Sequence, residues 1–340
     1  MIQAPIFIVG APRSGTTLLR QMLNRHPRLA ICGETHFLEV VYQPRRQRAF
    51  GELGIEANRR RLIQAYVSLR RARDQVGMEF KKFEQRIVEQ GLSYPAMFAS
   101  ILQCYAEEQG KPRCGEKTPQ HALFTQTLLE WFPDAVILHI VRDPRDVISS
   151  LLHRPSAAAS VVSNARAWLK LNLAARKCSS HPGYLEVRYE TLIARPEEEL
   201  RRICGFVGER YLPAMLVPEQ GRVEDSSGMD RFRTPLTASR RGVWRDELTA
   251  TEAAQVEWAL GDQLTAFGYD RAMPPASFGM VFRGVAFAAL DTLRMAIQRL
   301  PALWYEYFNA TDLESYERWR FPPDDGARAR TKPSTKSVRA

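Results

Sequence analysis

No stretch of this chain is apolar for long enough to cross a bilayer. Its most hydrophobic segment, residues 278–300, is broken by Arg283 and Asp291, which leave only seven uncharged residues between them, whereas a spanning helix needs about twenty. Cysteine is scarce. Cys32, Cys104, Cys114, Cys178 and Cys204 are odd in number, scattered and without metal-ligand spacing, so a disulfide framework or a thiolate metal site is excluded and reduced thiols are expected. No apolar leader precedes the first strand, which begins at Ile6; neither a signal peptide nor an N-terminal anchor is expected, and the expected location is cytoplasmic. No internal repeat is present, and no basic motif interleaved with aromatics marks a nucleic-acid reader. What remains is a chain of 340 residues, 45% hydrophobic and 25% charged, with a net charge of +10. That length buries a large core, and that charge favours an anionic ligand, acceptor or surface.

The stretch IFIVGAPRSGTTLLRQMLNR, residues 6–25, carries the strongest signal. Ile6 to Val9 read as a buried strand of a parallel sheet. Gly10, Pro12, Ser14 and Gly15 form a turn, and Thr16 and Thr17 open a helix whose Leu18, Leu19, Met22 and Leu23 share one face. Pro27 follows its end. Strand, glycine-bearing turn and helix start converge free N–H groups and the positive end of the helix dipole on one point. Arg13 adds a full charge, so the stretch is a phosphate cradle; a ligand-free strand-turn-helix corner would not require three hydroxyls, two glycines and an arginine. The nucleotide triphosphatase loop G-x-x-x-x-G-K-[ST] has the same glycine spacing. Here Thr16 stands where its lysine belongs, and the cation has moved back into the loop.

Further along, Leu29 to Cys32 is a short second strand, followed by GETHFL. Residues 43–90 carry the basic clusters Arg45-Arg46-Arg48, Arg59-Arg60-Arg61, Arg70-Arg71-Arg73 and Lys81-Lys82. They read either as solvated helical faces or as a rim that attracts an acidic acceptor. Residues 94–109 form another helix ahead of CGEKTPQH. AVILHIV, residues 135–141, is the clearest strand, and Pro144 opens a helix behind Arg142 and Asp143. Gly183 to Tyr189 is a further strand. A helix with Glu197, Glu198 and Glu199 in its first turn closes at Gly208. Thr249 and Glu252 make a capping box for a helix expected to reach Gly268. Alternating strands and helices predict a parallel α/β sheet, with ligands at the strands' carboxyl ends.

PRSGTTLL resembles the 5'-phosphosulfate-binding loop of sulfotransferases that use PAPS (3'-phosphoadenosine 5'-phosphosulfate), whose loops carry a lysine or arginine at the position of Arg13. The resemblance covers most of residues 5–270 and implies a P-loop-like three-layer fold and transfer of a sulfuryl group without a catalytic metal. Within it, Arg13, Ser14, Gly15, Thr16 and Thr17 would bind the 5' end of the donor. Arg142 and Ser150 in RDPRDVISSLLHR are similar to the arginine and serine that grip the 3'-phosphate, and Arg154 matches an arginine near the nucleotide in tyrosylprotein sulfotransferases. A guanidinium fork suits such a phosphate. Arg145 and Asp146 each read as a member of a helix-start salt bridge. A gapless run from the loop to Glu34 resembles the tyrosylprotein enzymes, whose glutamate there is the general base; His36 and His121 are the nearby rivals. Lys117 in GEKTP matches a lysine that stabilises the leaving group, although Glu116 could pair with it. Ser239, Arg240, Arg241 and Gly242 are similar to a segment that closes over the 3'-phosphate, with a shorter run to Trp244. Tyr189 matches a tyrosine beside the adenosine, and an ordinary strand-end tyrosine would read the same way.

The expected organisation is a sulfotransferase domain over 1–272, with a helical insertion at about 43–112. A C-terminal apolar helical extension follows over 273–325, then a basic, disordered tail over 326–340. The expected acceptor is a hydroxyl of a peptide tyrosine, a saccharide, a lipid or a small metabolite. Nucleic acid is not expected. The helix within 278–308 is expected to dock on its own domain, to bury in a homodimer, or to lie peripherally on a membrane. The alternatives to the sulfotransferase are a P-loop kinase of a small molecule, disfavoured by Thr16, and a catalytically inert nucleotide-binding scaffold, disfavoured by Glu34 and Lys117.

Overall fold

A five-stranded parallel sheet orders the molecule: β1 (Ile6–Gly10), β2 (Leu29–Cys32), β3 (Arg113–Lys117), β4 (Val136–Val141) and β5 (Tyr184–Arg188), in the spatial order β2-β3-β1-β4-β5. The computed structural model describes residues 2–69, 80–153, 160–217, 241–308 and 310–320. Ile6 sits in register with Gly115 on one side and Val136 on the other. Successive side chains of a strand point to opposite faces. Ile6 and Ile8 therefore join Leu138 and Ile140 beneath Leu19, Met22 and Leu23 of the helix Thr16–Asn24 and Ile203 of the helix Pro196–Val207. Phe7 and Val9 turn the other way, joining Ile137 and Val141 with Phe98 of the helix Tyr94–Glu108 and Trp168 of the helix Val161–Arg176. Helices cover both faces, which is why β1, β2 and most of β4 read as apolar runs. The fold is the P-loop-like three-layer α/β arrangement expected.

Three elements differ from the sequence reading. β3 was not visible as a strand, because RCGEK is polar; it lies in the sheet with Glu116 and Lys117 buried at its carboxyl end. Gly115 is required there, since a Cβ would stand 2.3 Å from the Ile6 carbonyl oxygen. The helix Val161–Arg176, with Trp168 at its centre, was likewise not anticipated. The helix after the capping box stops at Leu260 rather than reaching Gly268, because Gly261 turns to φ +54 before a short second helix, Gln263–Ala266.

Residues 43–90 hold the helices Pro44–Phe50, Glu56–Val67 and Phe80–Gln90. Several of their arginines are structural rather than a rim. Arg46 is buried, donates to the Val40 carbonyl and stacks on Tyr316, while Arg61 donates to the carbonyls of Ala49 and Phe50. Arg70, Arg71 and Arg73 lie outside the described residues, as do the side chains of Lys81 and Lys82. The C-terminal helix Phe278–Phe308 packs on Val161–Arg176 and Ala250–Leu260, and Leu313–Arg320 then returns to Phe37–Val40 and Glu56–Val67. Residues 326–340 lie outside the described residues.

Candidate active site

The chemistry gathers where the carboxyl ends of all five strands meet, at the switch point where the chain leaves β1 with β3 on one side and β4 on the other. The turn after β1 is held by three left-handed residues: Gly10 at φ +151, Arg13 at +74 and Gly15 at +98. A non-glycine in that region costs on the order of 1 kcal/mol, so the strain at Arg13 is part of the loop's shape. Gly15 also admits the Tyr189 ring, to which a Cβ would come within 2.4 Å. No side chain caps the start of the helix Thr16–Asn24, and its first turn carries no acid, so its N–H groups face the loop's hollow. The Ser14 hydroxyl is fully buried there without a hydrogen-bond partner among the described residues. A buried hydroxyl left unbonded is costly; a bound anion would satisfy it, and the cradle fits a phosphate-like group.

Arg13 leaves the loop sideways and donates from Nε to Ser150 Oγ at 2.9 Å. Arg142, at the end of β4, donates to the Arg13 carbonyl at 3.2 Å, lies over the Tyr189 ring at 4.5 Å and stands 3.7 Å from Asp146. Arg13, Ser150, Arg142 and Tyr189 thus form one continuous patch, and Tyr189 is the buried wall between the cradle and Arg142. Arg145 and Asp146 each form an ion pair at the helix start, as the sequence reading expected, Arg145 with Asp143 and Asp146 with Arg142, and each also reaches further. Asp146 accepts the backbone N–H groups of Gly242 and Trp244, both at 2.9 Å, and so straps the 241–244 segment over the Pro144–Leu152 helix. Arg145 reaches Asp143 at 2.8 Å and Glu257 at 2.7 Å. Arg241 is exposed beside Gly242, and Arg154, Ser239 and Arg240 lie outside the described residues. A cavity of 590 Å³ opens next to this patch, lined by Asp146, Arg188, Glu190, Arg241 and Tyr269 among others. It adjoins the cradle rather than containing it.

On the other side of β1, Lys117 Nζ lies 2.6 Å from Glu34 Oε1 and donates to Thr17 Oγ1 at 3.3 Å, tying the base candidate to the helix of the cradle. Glu34 Oε2 meets His36 Nε2 at 3.1 Å, and His36 Nδ1 meets Glu39 Oε2 at 2.7 Å. The four side chains form an unbroken chain in which Lys117 and His36 alternate with the carboxylates of Glu34 and Glu39. Burial alone would push the Glu34 carboxyl up, but Lys117 and His36 outweigh it and hold it well below the usual carboxylate range. Burial would push His36 down, yet its two carboxylate partners raise it above the usual histidine value. Glu116 does not pair with Lys117. It accepts from the Thr35 N–H and hydroxyl and from Thr118, and its other oxygen meets His121 Nδ1 at 3.1 Å. His121 is completely buried in that pair, while the Glu34 side chain keeps 26% of its surface. The sequence reading missed Glu39 as a partner of His36 and Asp146 as the holder of the 241–244 strap. The i, i+3 spacing of His36 and Glu39 was the one available signal for the first; the second had none.

Residues 5–213 match the model described as the sulfotransferase family. Protein-tyrosine sulfotransferase A of Caenorhabditis elegans is 26% identical over 318 residues, covering 88% of this chain and 75% of that protein. Omega-hydroxy-beta-dihydromenaquinone-9 sulfotransferase Stf3 of Mycobacterium bovis is 26% identical, with 79% of this chain and 76% of that protein covered. In fold, the chain is similar to the sulfotransferase domain of the Synechococcus PCC 7002 olefin synthase, at a TM-score of 0.54 and 24% identity over 79% of this chain and 97% of that one.

Proposed function

The chain belongs to the sulfotransferase family and is a sulfotransferase, and from that premise we propose that its donor is PAPS and that Glu34 takes the proton of a hydroxyl acceptor. The observation that carries this reading is the Lys117–Glu34 contact of 2.6 Å beside the cradle. A carboxylate and an ammonium lie together there beside Thr17, in the first turn of the helix Thr16–Asn24.

In this proposal Ser14, Gly15, Thr16 and Thr17 receive the 5'-phosphosulfate. Arg142 and Ser150, with Gly242 held by Asp146, receive the 3'-phosphate, and Tyr189 lines the adenosine side. Arg154, Ser239 and Arg240 are proposed nucleotide contacts on their sequence match alone, and Arg241 on its place beside Gly242. The acceptor oxygen bonds to sulfur as its proton passes to Glu34, and the bond from sulfur to the bridging oxygen breaks, releasing adenosine 3',5'-bisphosphate. Lys117 and Arg13 neutralise the charge that develops on that oxygen, which is where such transfers gain most of their rate. The acceptor belongs to the hydroxyl class; relatives are named for protein tyrosine and for a lipid-like menaquinone alcohol.

The test is thermal stabilisation by the desulfated product, since a ligand that binds only the folded state raises its melting temperature by mass action. Adenosine 3',5'-bisphosphate in chelator should raise the midpoint, and magnesium-ATP should not. A shift with magnesium-ATP alone would overturn the proposal in favour of a kinase.

A further inference from the structure

Seven of the twelve large apolar side chains exposed among the described residues lie on one helix, Phe278–Phe308: Phe278, Phe282, Val285, Phe287, Leu290, Leu293 and Ile297. Phe278 is 86% exposed, and Phe282 and Phe287 are each 64% exposed. The opposite side of the helix is already used. Gly284 sits against Gln255 and Val162, Ala288 is buried, Met280 accepts from Gln255 at 3.1 Å, and buried Asp291 accepts the Ser160 N–H at 3.2 Å. At 100° per residue, Phe278, Phe282, Val285, Leu290, Leu293 and Ile297 fall within about 140° of one another, diametrically across from that docking side. Docking on its own domain is therefore only half the function of this helix. The other half is a continuous apolar stripe turned to solvent, larger in kind than the single exposed apolar residues normal on a monomer.

The charges beside the stripe decide what covers it. Arg283 and Arg294 are exposed on one margin, next to Leu290 on the helical wheel. The single acid between residues 278 and 297 is Asp291, which is buried. Over residues 278–297 an identical helix from a second copy would offer these arginines no exposed carboxylate, and a net charge of +10 opposes self-association. An anionic lipid surface offers both an apolar interior for the phenylalanines and phosphates for the arginines. The last fifteen residues of the chain add five Lys/Arg and no acid. None of the described helices is long and apolar enough to cross a membrane, so a helix held along one side by its own domain would lie in the plane of the surface.

We propose that the exposed stripe of Phe278–Phe308 is a docking surface for an anionic membrane, with Phe278, Phe282, Leu290, Leu293 and Ile297 entering the acyl boundary and Arg283 and Arg294 meeting headgroup phosphates. This stands apart from the reading of the active site. The probe is flotation of the full-length protein with vesicles of phosphatidylcholine alone and with about one quarter phosphatidylglycerol. The wild type should float with the anionic vesicles and remain behind with the neutral ones. Replacing one buried phenylalanine by serine should weaken partitioning by about tenfold or more, so F278S/F282S/L293S should stay in the load. R283Q/R294Q should reduce the preference for phosphatidylglycerol. All five positions are exposed, and an unchanged melting curve for each variant confirms that the domain is intact. Three results overturn the proposal: no flotation of the wild type; flotation of F278S/F282S/L293S equal to the wild type, which would mean attraction by charge alone; or a dimer in sedimentation that the triple serine variant abolishes, which would assign the stripe to a second copy.

Discussion

Glu34 is the residue on which the proposed chemistry turns, and its surroundings bear on how it works. A carboxylate held between Lys117 and His36 is a weak base in the resting protein. Its low proton affinity keeps it ionised and ready to accept, and any donor group that draws Lys117 away would raise its basicity. Glu34→Gln should lower turnover by about 100-fold or more while leaving the affinity for adenosine 3',5'-bisphosphate unchanged, measured by calorimetry beside steady-state rates. His36 gives a second expectation, in stability. Its proton affinity is raised in the folded state by Glu34 and Glu39, against burial, with Lys117 as the neighbouring cation. Its contribution is therefore complete below about pH 6.5 and is lost as the pH climbs through the raised value. Urea unfolding at a series of pH values should show stability falling on that alkaline side, and His36→Gln should flatten that part of the curve.

At the scale of the element, the turn between β1 and the helix Thr16–Asn24 admits little change. Gly15→Ala combines a backbone at φ +98 with a Cβ placed 2.4 Å from the Tyr189 ring. The ring also supports Arg142, so the substitution should disturb both anion grips together. Adenosine 3',5'-bisphosphate should then give little or no shift in melting temperature, while Ser14→Ala, which removes only the unbonded hydroxyl, should retain part of it. Much of this element was readable from the chain: apolar strand, glycines, hydroxyls and helix face occur in a single local run. β3 was not. Its polar residues serve the site, so Glu116 and Lys117 broke the apolar pattern that marks a buried strand.

Over the whole molecule, Arg145 is the tie between the carboxyl end of β4 and the C-terminal helices. It is almost wholly buried, pairs with Asp143 and with Glu257 of the helix Ala250–Leu260, and donates to the Asp270 carbonyl. Removing one member of a buried ionic cluster leaves uncompensated charge, at a cost of about 3–5 kcal/mol. Arg145→Ala should lower the unfolding free energy by that order in urea titration, an effect that a local salt bridge at a helix start would not produce.

By itself the chain determined the strand-turn-helix of the candidate cradle, the parallel α/β class, the starts of the helices at Thr16, Tyr94, Pro144, Pro196 and Ala250 and the candidates Arg13, Glu34, Lys117, Arg142 and Ser150, because each is written in contiguous residues whose types and spacing have a local physical meaning. Only the tertiary structure decided their partners. Lys117 meets Glu34 across 83 residues and Arg13 meets Ser150 across 137. Asp146 holds Gly242 and Trp244 across nearly a hundred. The pairing of charges at the strand ends follows from the order in which five strands lie side by side, and that order is set by burying both faces of the sheet at once rather than by any local pattern.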